Sequence, residues 1–168
     1  NRIFCKGLMN SKVQPLGSGD EVPDFSTKDE SGNAFSKSSL IGKRYLLYFY
    51  PRDNTPGCTA QACGFRDLNH EYHQLDVTVI GVSGDSPLSH QKFSKKYNLP
   101  FPLLVDQEHN LAKAFGVFGE KKFMGRTFDG IHRTSFLIGP DGKIIKSYLK
   151  VKTQSHPNEV LSDLNETQ

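Results

Sequence analysis

The chemically informative stretch of this chain is Pro51-Arg-Asp-Asn-Thr55-Pro-Gly-Cys58-Thr-Ala-Gln-Ala-Cys63. It follows a continuously apolar and aromatic run, Tyr45 to Tyr50, and opens a helix. The carboxyl end of a central strand is where α/β sheets usually bind ligands. A cysteine in the first turn of a helix faces backbone N–H groups that have no intrahelical acceptor and the positive end of the helix dipole. Both stabilise a thiolate. A free thiol of ordinary acidity, near pKa 8.5, is about 3% ionised at pH 7, and one lowered to about 6 is roughly 90% ionised. Position therefore marks Cys58 as a candidate nucleophile. The competing role is a small apolar core residue, the commoner fate of a free cysteine. Pro56-Gly57 favours a tight turn with close backbone approach, which tips the balance toward chemistry.

Cys63 stands five residues further on. On a regular helix that spacing separates Cα atoms by roughly 8–9 Å and turns the side chains to largely opposing faces. A disulfide needs Cα atoms within about 7 Å, so a bond between these two requires the first turns to unwind. Cys-x4-Cys is neither the Cys-x2-Cys of a redox dithiol nor a zinc knuckle. By spacing alone, partnership and coincidence stay equally open.

Around this stretch the pattern is of strands alternating with helices. Tyr45–Tyr50 and Val77–Val82 read as strands buried on both faces. Phe65, Leu68, Tyr72 and Leu75 recur at three, four and three, the stripe of one amphipathic helix. Ser86-Pro87 supplies an N-cap and a first helical proline for a helix running to about Tyr97. Leu103–Val105 reads as a short strand, and Leu111, Ala112 and Phe115 mark a short helix before Gly116. Thr134–Ile138 and Ile144–Leu149 flank Gly139-Pro-Asp-Gly142 as a β-hairpin, and a last helix spans about Asn158 to Leu164. The expected architecture is α/β, a sheet with helices on both faces.

Composition sets the outer bounds. A length of 168 residues suits one domain. Hydrophobic residues at 36% and charged ones at 23% exclude a disordered chain. An odd count of 3 Cys argues against a secreted disulfide framework. The longest apolar run is far too short to span a membrane. Net charge is only +3, and its densest basic patch, Glu120 to Arg126, is too short for a nucleic-acid arm and reads as a solvated loop. Residues 1–16 read as a flexible leader or appended segment, with no convincing secretory signal, and 17–168 as a single domain.

Pro51-x3-Thr55-x2-Cys58 matches the active-site signature of the peroxiredoxins, and Thr55-Pro-Gly-Cys58-Thr-x-Gln-Ala-Cys63-Gly-Phe-Arg-Asp67 resembles their bacterioferritin-comigratory-protein (peroxiredoxin Q) subfamily. The resemblance covers about residues 17 to 165. It takes in Gly19-Asp-Glu-Val-Pro23-Asp-Phe25, Gly116-Val-Phe-Gly-Glu-Lys121 and Gly130-Ile-His-Arg133-Thr-Ser-Phe136. It implies a thioredoxin-like fold, a central mixed sheet flanked by helices with an N-terminal extension, and reduction of hydrogen peroxide and organic hydroperoxides without metal or organic cofactor. It further implies that Cys58 is the attacking thiolate, which becomes sulfenic acid. Thr55 would direct its hydroxyl at thiolate and peroxide, the Gly57 and Cys58 amides would hold the oxygens, Pro51 would shield the pocket, and Arg133 would stand beside the sulfur. Cys63 would resolve the sulfenic acid as an intramolecular disulfide, and thioredoxin, or alternatively a glutaredoxin-type donor, would reduce it. The same resemblance suggests a monomer working in the cytoplasm, or in an organelle if residues 1–16 are a leader remnant. The alternative is a non-enzymatic redox sensor using the Cys58–Cys63 switch. Cys5 has no assigned role, and His132 reads as structural.

Overall fold

The computed structural model of the protein describes residues 13–166. Cys5 and most of the expected leader therefore lie outside the described residues. Of the rest, Leu16 donates its N–H to the Phe115 carbonyl and accepts from the Ser147 hydroxyl; just beyond it, the Gly19 N–H donates to the Ile144 carbonyl.

The centre of the molecule is β3 (Arg44–Phe49), in which every residue after Arg44 is buried. It lies between β4 (Val77–Ser83), parallel to it, and β8 (Thr134–Ile138), antiparallel. A parallel β5 (Leu103–Val105) and an antiparallel β9 (Ile144–Tyr148) complete a mixed five-stranded sheet of order β5-β4-β3-β8-β9. The continuous apolar run of β3 follows from having neighbours at both edges and layers on both faces. Its pleat sorts the side chains. Leu46, Tyr48 and Tyr50 enter one core cluster, and Tyr45, Leu47 and Phe49 enter the other.

Helices α2 (Pro56–Asp67), α3 (Asn69–Gln74), α4 (Pro87–Tyr97) and α6 (His156–Glu166) give their apolar residues to the first cluster. Phe65, Tyr72, Phe93 and Val160 are the main ones, each buried aromatic contributing about 2 kcal/mol. The short α1 (Lys37–Leu40) and α5 (Asn110–Ala114) face the second cluster through Leu40, Leu111 and Ala112. This is the mixed, helix-flanked α/β architecture expected. No helix among the described residues is long and apolar enough to cross a membrane.

Two expectations need correction. The Phe65–Leu75 stripe belongs to two helices, not one: the chain turns at Leu68 (φ −101°, ψ 6°), closing α2 and opening α3. Phe65 and Tyr72 still point into one cluster, and the Tyr72 hydroxyl is anchored on the Pro157 carbonyl at 2.6 Å, which is why the spacing looks unbroken. The patch at Glu120–Arg126 is not a loop. It forms the end of a hairpin of β6 (Phe118–Phe123) and β7 (Arg126–Ile131), turned by Met124 and Gly125, both at positive φ. Met-Gly is not one of the usual turn pairs, and a two-stranded ribbon outside the main sheet buries little, so it leaves no alternation to detect. A second small hairpin, β1 (Ser26–Lys28) with β2 (Ala34–Ser36), was likewise unforeseen.

Candidate active site

The segment 51–55 leaves the carboxyl end of β3 and delivers the chain to α2. Thr55 is the N-cap, with extended backbone (φ −99°, ψ 157°), and Pro56 takes the first helical turn, where a missing N–H costs nothing. The Thr55 side chain does not cap the helix; its hydroxyl donates to the Arg52 carbonyl at 3.0 Å. The first-turn amides, those of Gly57 and Cys58 among them, are thus not satisfied by the N-cap side chain and can receive an anionic ligand. Pro51, half-buried, closes the strand directly upstream.

Cys58 is 2% exposed. Arg133 reaches it from the β7–β8 connection, donating from Nη2 to Sγ at 3.3 Å and from Nη1 to Gln61 Oε1 at 2.7 Å. One planar guanidinium therefore spans the nucleophile and a buried amide one turn along the same helix face. Gly57 makes room for it: a Cβ there would stand 3.3 Å from Nη2. The Arg133 backbone is pinned on both sides. The His132 N–H donates to Val117 O at 2.8 Å, His132 Nε2 donates to Glu120 O at 2.9 Å, and the Thr134 hydroxyl donates to His132 O at 2.8 Å.

Three neighbours were not singled out in the sequence. Gln61 is fully buried, and its Nε2 has no partner among the described residues. Among the described residues the buried Tyr48 hydroxyl also lacks a partner. Burial first, then the charges of Cys58 and Asp53, push its pKa well up. Lys121, on β6, donates to Ile131 O at 2.9 Å; burial and then the Arg133 charge lower its pKa against the opposing pull of Cys58. Gln61 has a signal in hindsight, three residues from Cys58 on one helix. Lys121 has only its place at the end of the Gly116–Lys121 motif, because the hairpin that brings it in was itself unseen.

Cys63 is half-buried, and both it and Cys58 are free thiols on an intact α2. A second constellation, Ser135 Oγ to His156 Nε2 at 2.8 Å and His156 Nδ1 to Glu159 at 2.9 Å, has the connectivity of a hydrolase triad. Ser135 is fully buried in β8, so no substrate reaches it, and the set instead ties the start of α6 to the sheet.

A thiol at an uncapped helix start under a fixed guanidinium, on a mixed sheet of this topology, defines a redox protein of the thioredoxin-like fold. Residues 18–147 match the AhpC/TSA family, and the chain belongs to that family. It is 47% identical to Peroxiredoxin Bcp of Bacillus subtilis over 148 residues, 88% of this chain and 94% of the relative. It is also 47% identical to Peroxiredoxin Bcp of Escherichia coli over 154 residues, 92% and 99% of the two chains. Among solved structures, a PrxQ variant from Xylella fastidiosa superposes with a TM-score of 0.86 at 34% identity, over 92% of this chain and 98% of that one. The Xanthomonas campestris bacterioferritin comigratory protein, studied for its alkyl peroxide reduction, gives 0.80 at 34% identity over 85% and 91%.

Proposed function

We propose that, in a protein that is a thiol-dependent peroxidase of the atypical two-cysteine kind, Cys58 attacks, Cys63 resolves and a thioredoxin dithiol restores the pair. The Cys58 thiolate attacks the terminal oxygen of a hydroperoxide. The S–O bond forms as the O–O bond breaks, sulfur is oxidised to sulfenic acid, and the departing alkoxide or hydroxide takes a proton from solvent. The observation that carries this reading is the Arg133–Cys58 contact at 3.3 Å. A fixed cation there stabilises negative charge on the sulfur and then on the leaving oxygen, without reorganising during the reaction. Thr55 Oγ1, its own hydrogen given to Arg52, offers lone pairs to the peroxide O–H. The amides of Gly57 and Cys58 hold the oxygens, and Pro51 keeps water from the sulfur.

Cys63 then attacks the sulfenic sulfur, water leaves, and a disulfide remains. The geometry of α2 requires its first turns to unwind for that step. A cysteine only 2% exposed admits a small oxidant and excludes a protein reductant, so reduction meets the unwound, oxidised form. Thioredoxin, whose own dithiol carries the two electrons, suits it by thiol–disulfide exchange. We place this cycle in a monomer and in a reducing compartment such as the cytoplasm, where such a donor is maintained. The sensor alternative gives no reason for a guanidinium on Sγ and is not favoured.

Mixing reduced protein with equimolar hydrogen peroxide tests the assignment. Thiol loss is fast in the parent and absent at that rate in Cys58→Ser; oxidation of the parent at the pace of an ordinary free thiol ends the peroxidase reading. Cys63→Ser keeps the first oxidation and loses turnover with thioredoxin. Undiminished turnover would hand the resolving role to another thiol.

A further inference from the structure

The segment that carries Pro51 and Thr55 is held by a buried polar network with no part in the chemistry above. Asp53, at its middle, is buried and accepts three side-chain hydrogen bonds: from the Tyr50 hydroxyl at 2.5 Å on Oδ1, and from Ser89 Oγ at 2.9 Å and His90 Nδ1 at 2.7 Å on Oδ2. Its own N–H donates to Asp85 Oδ2 at 2.8 Å, which also accepts from Ser83 Oγ at 2.6 Å. His90, on the first turns of α4, is fully buried, and its Nε2 stands 2.9 Å from the Leu104 carbonyl on β5.

Proton counting bounds the state of this network. A carbonyl only accepts, so Nε2 carries hydrogen. Nδ1 faces a carboxylate oxygen, so the contact there also needs a proton. The charged and titratable groups facing the ring are Asp53 from the segment, Asp85 from the β4–α4 connection and Tyr50 beyond the end of β3, while β5 presents only the Leu104 carbonyl. Both carboxylates favour the imidazolium. Burial pushes the His90 pKa down, but the Asp53 hydrogen bond and charge and the Leu104 carbonyl outweigh it and leave it raised. Asp53, Asp85 and His90 each bring a ligand atom within 4.8 Å of the others. Their facing oxygens are nevertheless already occupied by N–H and O–H donors, which is the arrangement of a hydrogen-bonded clamp.

We propose that His90 is a positioning residue for peroxide reduction: as an imidazolium between Asp53 and the Leu104 carbonyl, it clamps the 51–55 segment to α4 and β5 and keeps Pro51 and Thr55 in place over Cys58. The proposal rests on the peroxidase reading. It acts on the first oxidation only, because Cys63 and the unwinding of α2 lie downstream of the clamped segment. A displacement of Thr55 by about 1 Å can lower the rate of a positioned reaction by up to a hundredfold, so a loss of at least about tenfold is expected in the second-order oxidation of Cys58 on His90→Asn. The rate of disulfide closure stays unchanged.

The experiment pairs rapid-mixing kinetics with hydrogen peroxide and 15N NMR of the histidine rings at pH 7. The parent protein shows both His90 nitrogens protonated. Asp53→Asn keeps an acceptor for the Tyr50 hydroxyl and turns its amide N–H toward Ser89 Oγ and His90 Nδ1, which leaves His90 with hydrogen on Nε2 alone, and it gives an oxidation rate between those of the parent and His90→Asn. Should His90→Asn fail to fold, Asp53→Asn decides. A parent His90 with one protonated nitrogen, or folded variants that oxidise as fast as the parent, overturns the clamp. A parent that oxidises slowly overturns the peroxidase reading instead, so the two failures are distinct. A purely structural histidine would lower the melting temperature and leave the oxidation rate at 25 °C where it was.

Discussion

At the scale of single residues, the site depends on a cation of particular shape. Arg133 serves Gln61 Oε1 and Cys58 Sγ with two nitrogens of one plane, and the amide fixes the orientation in which the second nitrogen meets sulfur. Lysine keeps the charge but has a single flexible point of attachment. Arg133→Lys should therefore slow oxidation of Cys58 by about 10²-fold, the scale of losing one preorganised donor to developing charge. Stopped-flow oxidation with hydrogen peroxide measures it, and a rate within twofold of the parent would show that charge alone suffices. The pairing of Cys58 with Arg133, which the structure brings together beside Gly57, was legible, because a helix-start cysteine has its own physics and Arg133 sits at a spaced motif position. Gln61, Lys121 and the Asp53–His90 pair were not. Each does its work through a contact made by the tertiary fold, so the motif places of Gln61 and Lys121 announce no partner, and a lone His90 carries no pattern at all.

Among the elements, α2 bears the conflict between holding Cys58 still and letting it reach Cys63. The conflict is confined to its first half. Phe65 is fully buried, and Gly64 lies so close to α6 that a Cβ there would stand 2.8 Å from Pro157 Cγ, a rigid ring that cannot swing away. Oxidation should thus remove amide-exchange protection from Cys58 through Cys63 and leave it from Phe65 onward. Gly64→Ala, by forcing α6 off the helix at a cost of about 1–3 kcal/mol, should carry the loss through Asp67. Equal protection of 58–63 in both redox states would refute the unwinding. Strand β3 was readable because continuous burial leaves a continuous apolar run, β4 because its apolar residues are interrupted near its start only by the exposed Thr78, and Gly139-Pro-Asp-Gly142 announced the hairpin of β8 and β9. The break at Leu68 was not readable, since both helices feed one cluster and preserve the stripe across the turn. Nor were β1 and β2, at three residues each, long enough to show a period.

Across the whole molecule, two buried histidines tie stability to pH with opposite signs. His156, between Ser135 and Glu159, has its pKa lowered, chiefly by burial, against the pull of Glu159 and with help from the Arg133 charge. Below about pH 6.5 the unfolded chain takes up a proton that the folded one refuses, so this histidine's contribution falls as pH drops from there toward the folded pKa. His90 runs the other way. Its pKa is raised by Asp53 and Leu104 against burial, so its contribution is complete below about 6.5 and is lost as pH climbs through the folded value. Denaturant titrations from pH 5 to 8 separate them by difference. His156→Gln should flatten the acid side of the stability profile relative to the parent, and His90→Asn the alkaline side. If His90→Asn parallels the parent above pH 6.5, the imidazolium is not held more tightly in the folded state, and the 51–55 segment is kept in place by Tyr50, Ser89 and Asp85 without it.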